Sequence, residues 1–145
     1  MENSDTIKTV HILIVDDDDL IISLLKAALK QYMPDATVFT AANYESTKKV
    51  LEMTEIQIAL VDLHLNDEKN GADVAKLVRS TYDASIVFMT GDDSRPAIQE
   101  ASAVNPEGFL SKPFDTQRLA TILRNILNRK KFKSVVFVDP QVAPK

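Results

Sequence analysis

Four short aliphatic runs in this chain each end at a charged or hydroxyl side chain. The residues at these ends are Asp16 and Asp17 after 11–15, Asp62 after 56–61, Thr90 after 86–89, and Lys112 after 108–111. Aliphatic runs bounded by polar residues are typical of buried parallel strands. If the four runs lie in one parallel sheet, their polar residues emerge together at its carboxyl edge, where open α/β sheets place their chemistry.

Strand-like and helix-like segments alternate along the chain, which indicates an α/β fold. The predicted strands span 11–15, 36–41, 56–61, 85–89 and 107–111, and the predicted helices span 19–32, 43–53, 72–81, 94–103 and 116–128. Five such units with right-handed crossovers predict a flavodoxin-like, doubly wound parallel sheet with strand order 2-1-3-4-5. In that order the first and third strands are neighbours, so we expect Asp16, Asp17 and Asp62 to converge.

Length and composition limit the class of protein. The chain has 145 residues, enough for one domain with a substantial core. Its net charge of −4 gives no indication of direct nucleic-acid binding. No stretch approaches the roughly 18 apolar residues that a membrane helix needs, so we expect no membrane partner. The absence of cysteine excludes disulfides and thiolate metal sites and fits a cytoplasmic location.

We divide the chain into three parts: an amino-terminal arm at 1–10, one domain at 11–128 and a carboxyl-terminal extension at 129–145. The extension begins with a basic cluster, which complements the dipole at the end of the last helix. It continues with the apolar run Val135–Val138. Four roles are open for residues 134–138: pairing with a sheet edge, docking on the last helix, mediating a dimer, or beginning a linker.

Each acid has two interpretations. Mg²⁺ is held by one or two carboxylates and keeps several waters, so Asp16 and Asp17 could bind it directly and through water. Alternatively, they belong to a solvated acidic turn that caps the first helix. Asp62 could act as a nucleophile toward phosphorus and form an acyl phosphate. Alternatively, it is an ordinary aspartate that opens a loop.

The hydroxyl and the amine also have two interpretations. Thr90 could donate to a phosphoryl oxygen, and Gly91 would leave space for that group and offer its own N–H. Alternatively, the pair is a strand end followed by a turn glycine. Lys112 could pair with Asp62 before modification and with the phosphoryl group afterwards, whereas most lysines are simply exposed. A cis peptide bond between Lys112 and Pro113 is compatible with the sequence.

Over residues 10–128 the chain resembles the receiver domain of two-component response regulators. The motifs that carry the resemblance are Ile-Leu-Ile-Val-Asp-Asp at 12–17, Val-Asp-Leu-His-Leu at 61–65, Met-Thr-Gly at 89–91 and Phe-Leu-Ser-Lys-Pro-Phe at 109–114. The resemblance implies a phosphorelay function, in which a sensor histidine kinase or a histidine phosphotransfer protein donates a phosphoryl group. It further implies a downstream protein or effector domain, or a homodimer, as the output.

The resemblance also implies a role for each site residue. Asp62 is the phosphoacceptor, and Asp16, Asp17, Asp62 and the backbone carbonyl of His64 hold Mg²⁺. Thr90, Gly91 and Lys112 sense the phosphoryl group, Phe109 is the aromatic switch, and residues 93–128 form the output face. His64 and Asp92 occupy the positions that tune loss of the phosphoryl group.

Two departures from the family pattern affect these expectations. Leu65-Asn66 stands where the family usually has Met-Pro or Leu-Pro, and the segment 66–71 is about one residue longer. We therefore expect a more mobile loop after Asp62. His64 could shield an acyl phosphate from water or activate a water as a general base, and the sequence does not decide between these roles.

Two other functions fit parts of the pattern. A small Mg²⁺-dependent aspartyl-phosphate hydrolase of the haloacid dehalogenase type uses the same residue types, but it usually carries its nucleophile after the first strand and has a cap. A receiver-like interaction module that is never phosphorylated would not need the complete acid, hydroxyl and lysine set. We therefore expect a signalling receiver whose only chemistry is its own phosphorylation and dephosphorylation.

Overall fold

Five strands and five helices alternate along the chain. The computed structural model describes residues 9–91, 95–130, 132 and 135–140. The elements are β1 His11–Val15, α1 Asp19–Tyr32, β2 Thr37–Ala41, α2 Tyr44–Met53, β3 Ile58–Asp62, α3 Gly71–Thr81, β4 Ser85–Thr90, α4 Arg95–Ser102, β5 Gly108–Ser111 and α5 Thr116–Lys130. Each predicted element is present, and its bounds differ from the prediction by at most two residues.

The strands form one parallel sheet in the order β2-β1-β3-β4-β5, which confirms the predicted fold class and strand order. The differences of two residues are at the end of α5, predicted at 128 and observed at Lys130, and at the start of β3, predicted at 56 and observed at Ile58. The register with β1 explains the later start of β3, because Ile12 of β1 is aligned with Ile58. Ile56 is nevertheless buried, so its apolar character reflects core packing ahead of the strand.

Alternate strand residues face two separate helical layers. In β1, Ile12 and Ile14 belong to a core cluster with α1 and α5. Leu13 and Val15 belong to a second cluster with α2, α3 and residues of α4. The sheet is therefore covered on both faces, which explains why its central strands are almost wholly aliphatic. Within the described part of the chain, no helix has the length and apolar character required to cross a membrane.

Side-chain caps fix the helix starts near the carboxyl edge of the sheet. Asp18 accepts a hydrogen bond from the Leu20 N–H at the start of α1. Asp115 caps α5 in the same way, because it accepts from the Gln117 N–H. These caps place the loops that carry the polar residues at a defined position above the sheet.

Candidate functional site

Three carboxylates converge where β1 and β3 end. Asp16 and Asp17 follow β1, and Asp62 is the last residue of β3. One oxygen from each of the three side chains lies within 4.8 Å of the other two. Asp16 and Asp62 are buried, with 0 % and 4 % of their surface exposed, whereas Asp17 is exposed. The predicted convergence is therefore present, and one side of the cluster opens to solvent.

Lys112 lies between the two buried acids. Its Nζ is 2.9 Å from Asp16 Oδ2 and 3.3 Å from Asp62 Oδ1. The sequence predicted a pair with Asp62, and the structure adds a shorter contact with Asp16. The lysine follows β5, its backbone N–H donates to the Thr90 carbonyl, and its peptide bond to Pro113 is cis. The Lys112 ammonium group thus compensates part of the negative charge of the two buried carboxylates.

Burial and ion pairing shift the pKa values of Asp16 and Lys112. Burial raises the pKa of Asp16, and the nearby Asp62 charge adds to this effect, while Lys112 and a backbone N–H oppose it. For Lys112, burial alone would lower the pKa. The hydrogen bond to Asp16 and the charges of both acids outweigh burial, so the pKa of Lys112 is raised.

Backbone N–H groups orient all three carboxylates. Each bond joins a carboxylate to an N–H of a nearby loop, which fixes the carboxylate before any ligand binds. The bonds are Asp18 N–H to Asp16 Oδ1 at 2.9 Å, His64 N–H to Asp62 Oδ1 at 3.0 Å, and Asn66 N–H to Asp17 Oδ2 at 2.9 Å. The last of these connects the unusual loop after β3 directly to the acid pair.

The donor set fits Mg²⁺. Carboxylate oxygens are the ligands that this ion prefers, and it retains waters that need an open side. The cluster supplies three carboxylates within reach of one another, and Asp17 provides the solvent-facing side. Two buried acids beside each other also carry excess negative charge that a divalent cation would offset. The three carboxylates are therefore a candidate Mg²⁺ site.

Thr90 lies at the end of β4, beside the acids. It is buried, and its Oγ1 is 3.3 Å from Nε2 of the exposed His64. The Gly91 that follows has open space where a side chain would be, since an added Cβ would meet no described atom within 4 Å. These positions agree with the expected hydroxyl and open space. Asp92 lies outside the described residues.

Phe109 lies in β5 and is half-buried. Its ring stacks on Phe88 of β4, with centroids 5.8 Å apart and an angle of 25° between the planes. It packs against the layer that contains α4, on the side away from α1 and α5. The aromatic ring therefore connects the strand that ends in Thr90 with the helix layer of the expected output face.

Gly71 is a site-supporting residue that the motif analysis did not single out. A Cβ at this position would lie 2.2 Å from the Asp62 carbonyl oxygen and 2.7 Å from the Leu63 Cα. The start of α3 thus packs directly on the backbone that carries Asp62. The sequence offers one indication that this residue matters, which is that the whole chain has only three glycines.

The comparisons agree with this geometry. The profile of the response regulator receiver domain family matches residues 12–124. Among curated proteins, the chain is similar to the heme response regulator HssR of Staphylococcus aureus strain MRSA252, with 28% identity over 125 residues, covering 86% of this chain and 54% of the relative. The chain thus spans about half the length of the curated relatives it matches.

Solved structures show the same fold. The signal receiver domain of a modulated diguanylate cyclase from Desulfovibrio desulfuricans G20 is 27% identical, with a TM-score of 0.75, covering 83% of this chain and 95% of that one. A CheY-like receiver domain protein from Methanospirillum hungatei JF-1 is 21% identical, with a TM-score of 0.76, covering 85% and 97%. Receiver domains are signalling modules of two-component systems, and this chain belongs to the response regulator receiver domain family.

Proposed function

We propose that Asp62 accepts a phosphoryl group from a phosphohistidine, on a sensor histidine kinase or a phosphotransfer protein. The observation that carries this proposal is the position of Lys112 Nζ, 2.9 Å from Asp16 and 3.3 Å from Asp62, beside three carboxylates within 4.8 Å of one another. Such an arrangement orients a carboxylate and compensates the charge that phosphorylation adds. Asp16, Asp17, Asp62 and the His64 backbone carbonyl would hold Mg²⁺.

The reaction forms one bond and breaks one bond. A carboxylate oxygen of Asp62 attacks phosphorus as the bond from phosphorus to the imidazole nitrogen of the donor breaks. That nitrogen keeps the electron pair, and the donor leaves as a neutral histidine because its other ring nitrogen carries a proton in the reacting phosphohistidine. When bound, Mg²⁺ would neutralise charge on the phosphoryl oxygens. The Asp62 side chain is already held by the His64 N–H and by Lys112, so it needs little reorganisation.

Phosphorylation would act as a switch through its charge. A phosphorylated side chain carries about −1.5 to −2 charges at neutral pH. Thr90 and Lys112 would turn toward this group, and Phe109 would follow into the space that Thr90 leaves. To move the ratio of active to inactive conformation from about 1:99 to 99:1, the phosphoryl group must stabilise the active conformation by about 5.5 kcal/mol more than the inactive one. The change would alter α4, β5 and α5, which would control a protein partner or a homodimer.

We further propose that residues 11–128 are the switching domain, with 1–10 as an arm and 129–145 as an extension. Because the receiver family consists of signalling modules, we expect this chain to hydrolyse only its own acyl phosphate. A hydrolase of the haloacid dehalogenase type would hydrolyse a chromogenic phosphate ester repeatedly, which we do not expect. A module that is never phosphorylated would not take up a phosphoryl group from any donor.

Labelling with a small phosphoramidate donor tests the proposal. Wild type should take up one phosphoryl group per chain in Mg²⁺ and lose this ability in EDTA. Asp62→Asn should abolish the uptake while the circular dichroism spectrum is unchanged. Asp35→Asn, an exposed acid in the turn after α1, is the matched control and should label normally. Stoichiometric labelling of the Asp62 variant would overturn the assignment.

A further inference from the structure

The apolar run of the extension is extended and has two different sides. We call Val135–Asp139 the strap. Along it, Val135, Phe137 and Asp139 are half-buried, whereas Val136 and Val138 are 45 % and 38 % exposed. This alternation is the pattern of an extended segment that lies with one side on a surface. The surface therefore contacts every second side chain of the strap.

The buried side of the strap packs on α1 and α5. Phe137 and Val135 contact the core cluster that these two helices form with the sheet. The Phe137 ring lies 6.4 Å from the Tyr32 ring, at a tilt of 44°. An aromatic pair at this distance is favourable beyond the apolar area that it buries. Phe137 is therefore the main apolar anchor of the strap.

Two polar contacts fix the direction and register of the strap. The Val138 N–H donates to the Tyr32 carbonyl at 2.7 Å. Tyr32 is the last residue of α1, so this bond satisfies a carbonyl that the helix itself leaves without an intrahelical partner. Asp139 forms an ion pair with Arg124 of α5. The strap thus connects the end of one helix with the middle of another.

We propose that the surface between α1 and α5 is a peptide-binding groove, and that the strap is its intramolecular ligand. The contacts define the chemistry of this ligand. It is an extended segment with an aromatic anchor, an apolar residue two positions before it and an acid two positions after it. Of the four roles open from the sequence, the contacts match docking on the last helix. A partner that uses this groove must first displace the strap.

Amide hydrogen exchange of the full chain tests whether the strap is docked. The Val138 amide should be protected in wild type. Phe137→Ala should speed its exchange about tenfold, because the main apolar anchor is lost. Asp139→Asn should speed it about twofold to fivefold, as expected for a partly exposed ion pair. Val136→Ala is the matched control and should change nothing, because that side chain points away from the helices.

A charge swap separates the ion pair from a general effect on folding. Arg124→Asp alone should speed Val138 exchange, and adding Asp139→Arg should restore the protection. Protection that falls on dilution would mean that the strap docks on a second copy, which contradicts an intramolecular ligand. Exchange of wild-type Val138 at the rate of an unstructured peptide would overturn the proposal, as would equal effects of Phe137→Ala and Val136→Ala.

Competition tests whether the groove accepts a peptide. A labelled peptide with the sequence of residues 134–140, Ser-Val-Val-Phe-Val-Asp-Pro, should bind the full-length Phe137→Ala variant about tenfold more tightly than wild type, whose groove is occupied. The same peptide with Phe137→Ala should not bind either protein. Equal affinity for both proteins, or no binding to the folded variant, would contradict a peptide-binding groove.

Discussion

Gly71 and Asp62 are in direct backbone contact. The first residue of α3 lies so close to the last residue of β3 that a Cβ on Gly71 would be 2.2 Å from the Asp62 carbonyl oxygen. The neighbouring atoms are backbone atoms, which cannot move aside as a flexible side chain can. The position of the proposed phosphoacceptor therefore depends on a residue that has no side chain.

Gly71→Ala should destabilise the protein and displace Asp62. Overpacking at a rigid contact typically costs about 1–3 kcal/mol of unfolding free energy. Chemical denaturation measures the loss, and the rate of phosphoramidate labelling should fall as well. For stability alone, Gly91→Ala is the matched control, because the added methyl group meets no described atom within 4 Å. Equal stability of the two variants would show that the contact with Asp62 does not constrain the fold.

Removing Lys112 should leave the two buried acids without their shared cation. In EDTA, Lys112→Ala should lower the unfolding free energy by about 1–3 kcal/mol, the usual cost of leaving a buried polar partner unsatisfied. Mg²⁺ should then stabilise the variant more than it stabilises wild type, because it supplies the missing positive charge. Thermal unfolding with and without Mg²⁺ checks this. The exposed Lys49→Ala should behave as wild type, and an identical Mg²⁺ response in all three proteins would contradict the prediction.

The protonation of Asp16 should make the stability of the metal-free protein depend on pH. Burial raises its pKa above the ordinary value of 3.8, so the folded state favours the protonated carboxyl. The stability that this group contributes is present below the ordinary pKa and is lost as the pH rises through the raised pKa.

Asp16→Asn removes this titration and keeps an oxygen that can accept from the Asp18 N–H. In EDTA, the variant should therefore gain stability relative to wild type as the pH rises through that window. Denaturation series at several pH values measure the difference. A constant difference in unfolding free energy across the window would show that burial does not raise the pKa of Asp16.

His64→Ala should shorten the lifetime of the phosphorylated protein severalfold. The His64 ring lies 3.3 Å from the Thr90 hydroxyl, next to the open space at Gly91, where water would approach a group on Asp62. We therefore expect the ring to shield the acyl phosphate. Loss of the label after donor removal gives the lifetime. A longer lifetime in the variant would instead indicate that His64 activates the attacking water.

The sequence predicted the fold and the convergence of the acids because both follow from local patterns. Aliphatic runs define buried parallel strands, right-handed crossovers predict a doubly wound sheet, and 2-1-3-4-5 is a common strand order in such sheets. Once the order is known, the ends of β1 and β3 must be neighbours, which brings Asp16 and Asp62 together. No knowledge of side-chain packing was needed for this step.

Other features depend on distances that no local pattern contains. The contact of Gly71 with Asp62 requires the crossing of α3 over the end of β3. The shorter contact of Lys112 with Asp16 depends on how far β5 extends. The shift in the start of β3 depends on its register with β1, and the docking of the strap depends on a surface that two distant helices form.

Mapping the modified residue by tandem mass spectrometry tests the central claim most directly. Wild-type protein would be phosphorylated by phosphoramidate in Mg²⁺, reduced with borohydride to trap the acyl phosphate, and digested. We predict a single modified side chain at Asp62, absent when EDTA replaces Mg²⁺. Modification at Asp16 or Asp17 instead, or no modification in a folded sample, would contradict the claim that Asp62 is the phosphoacceptor.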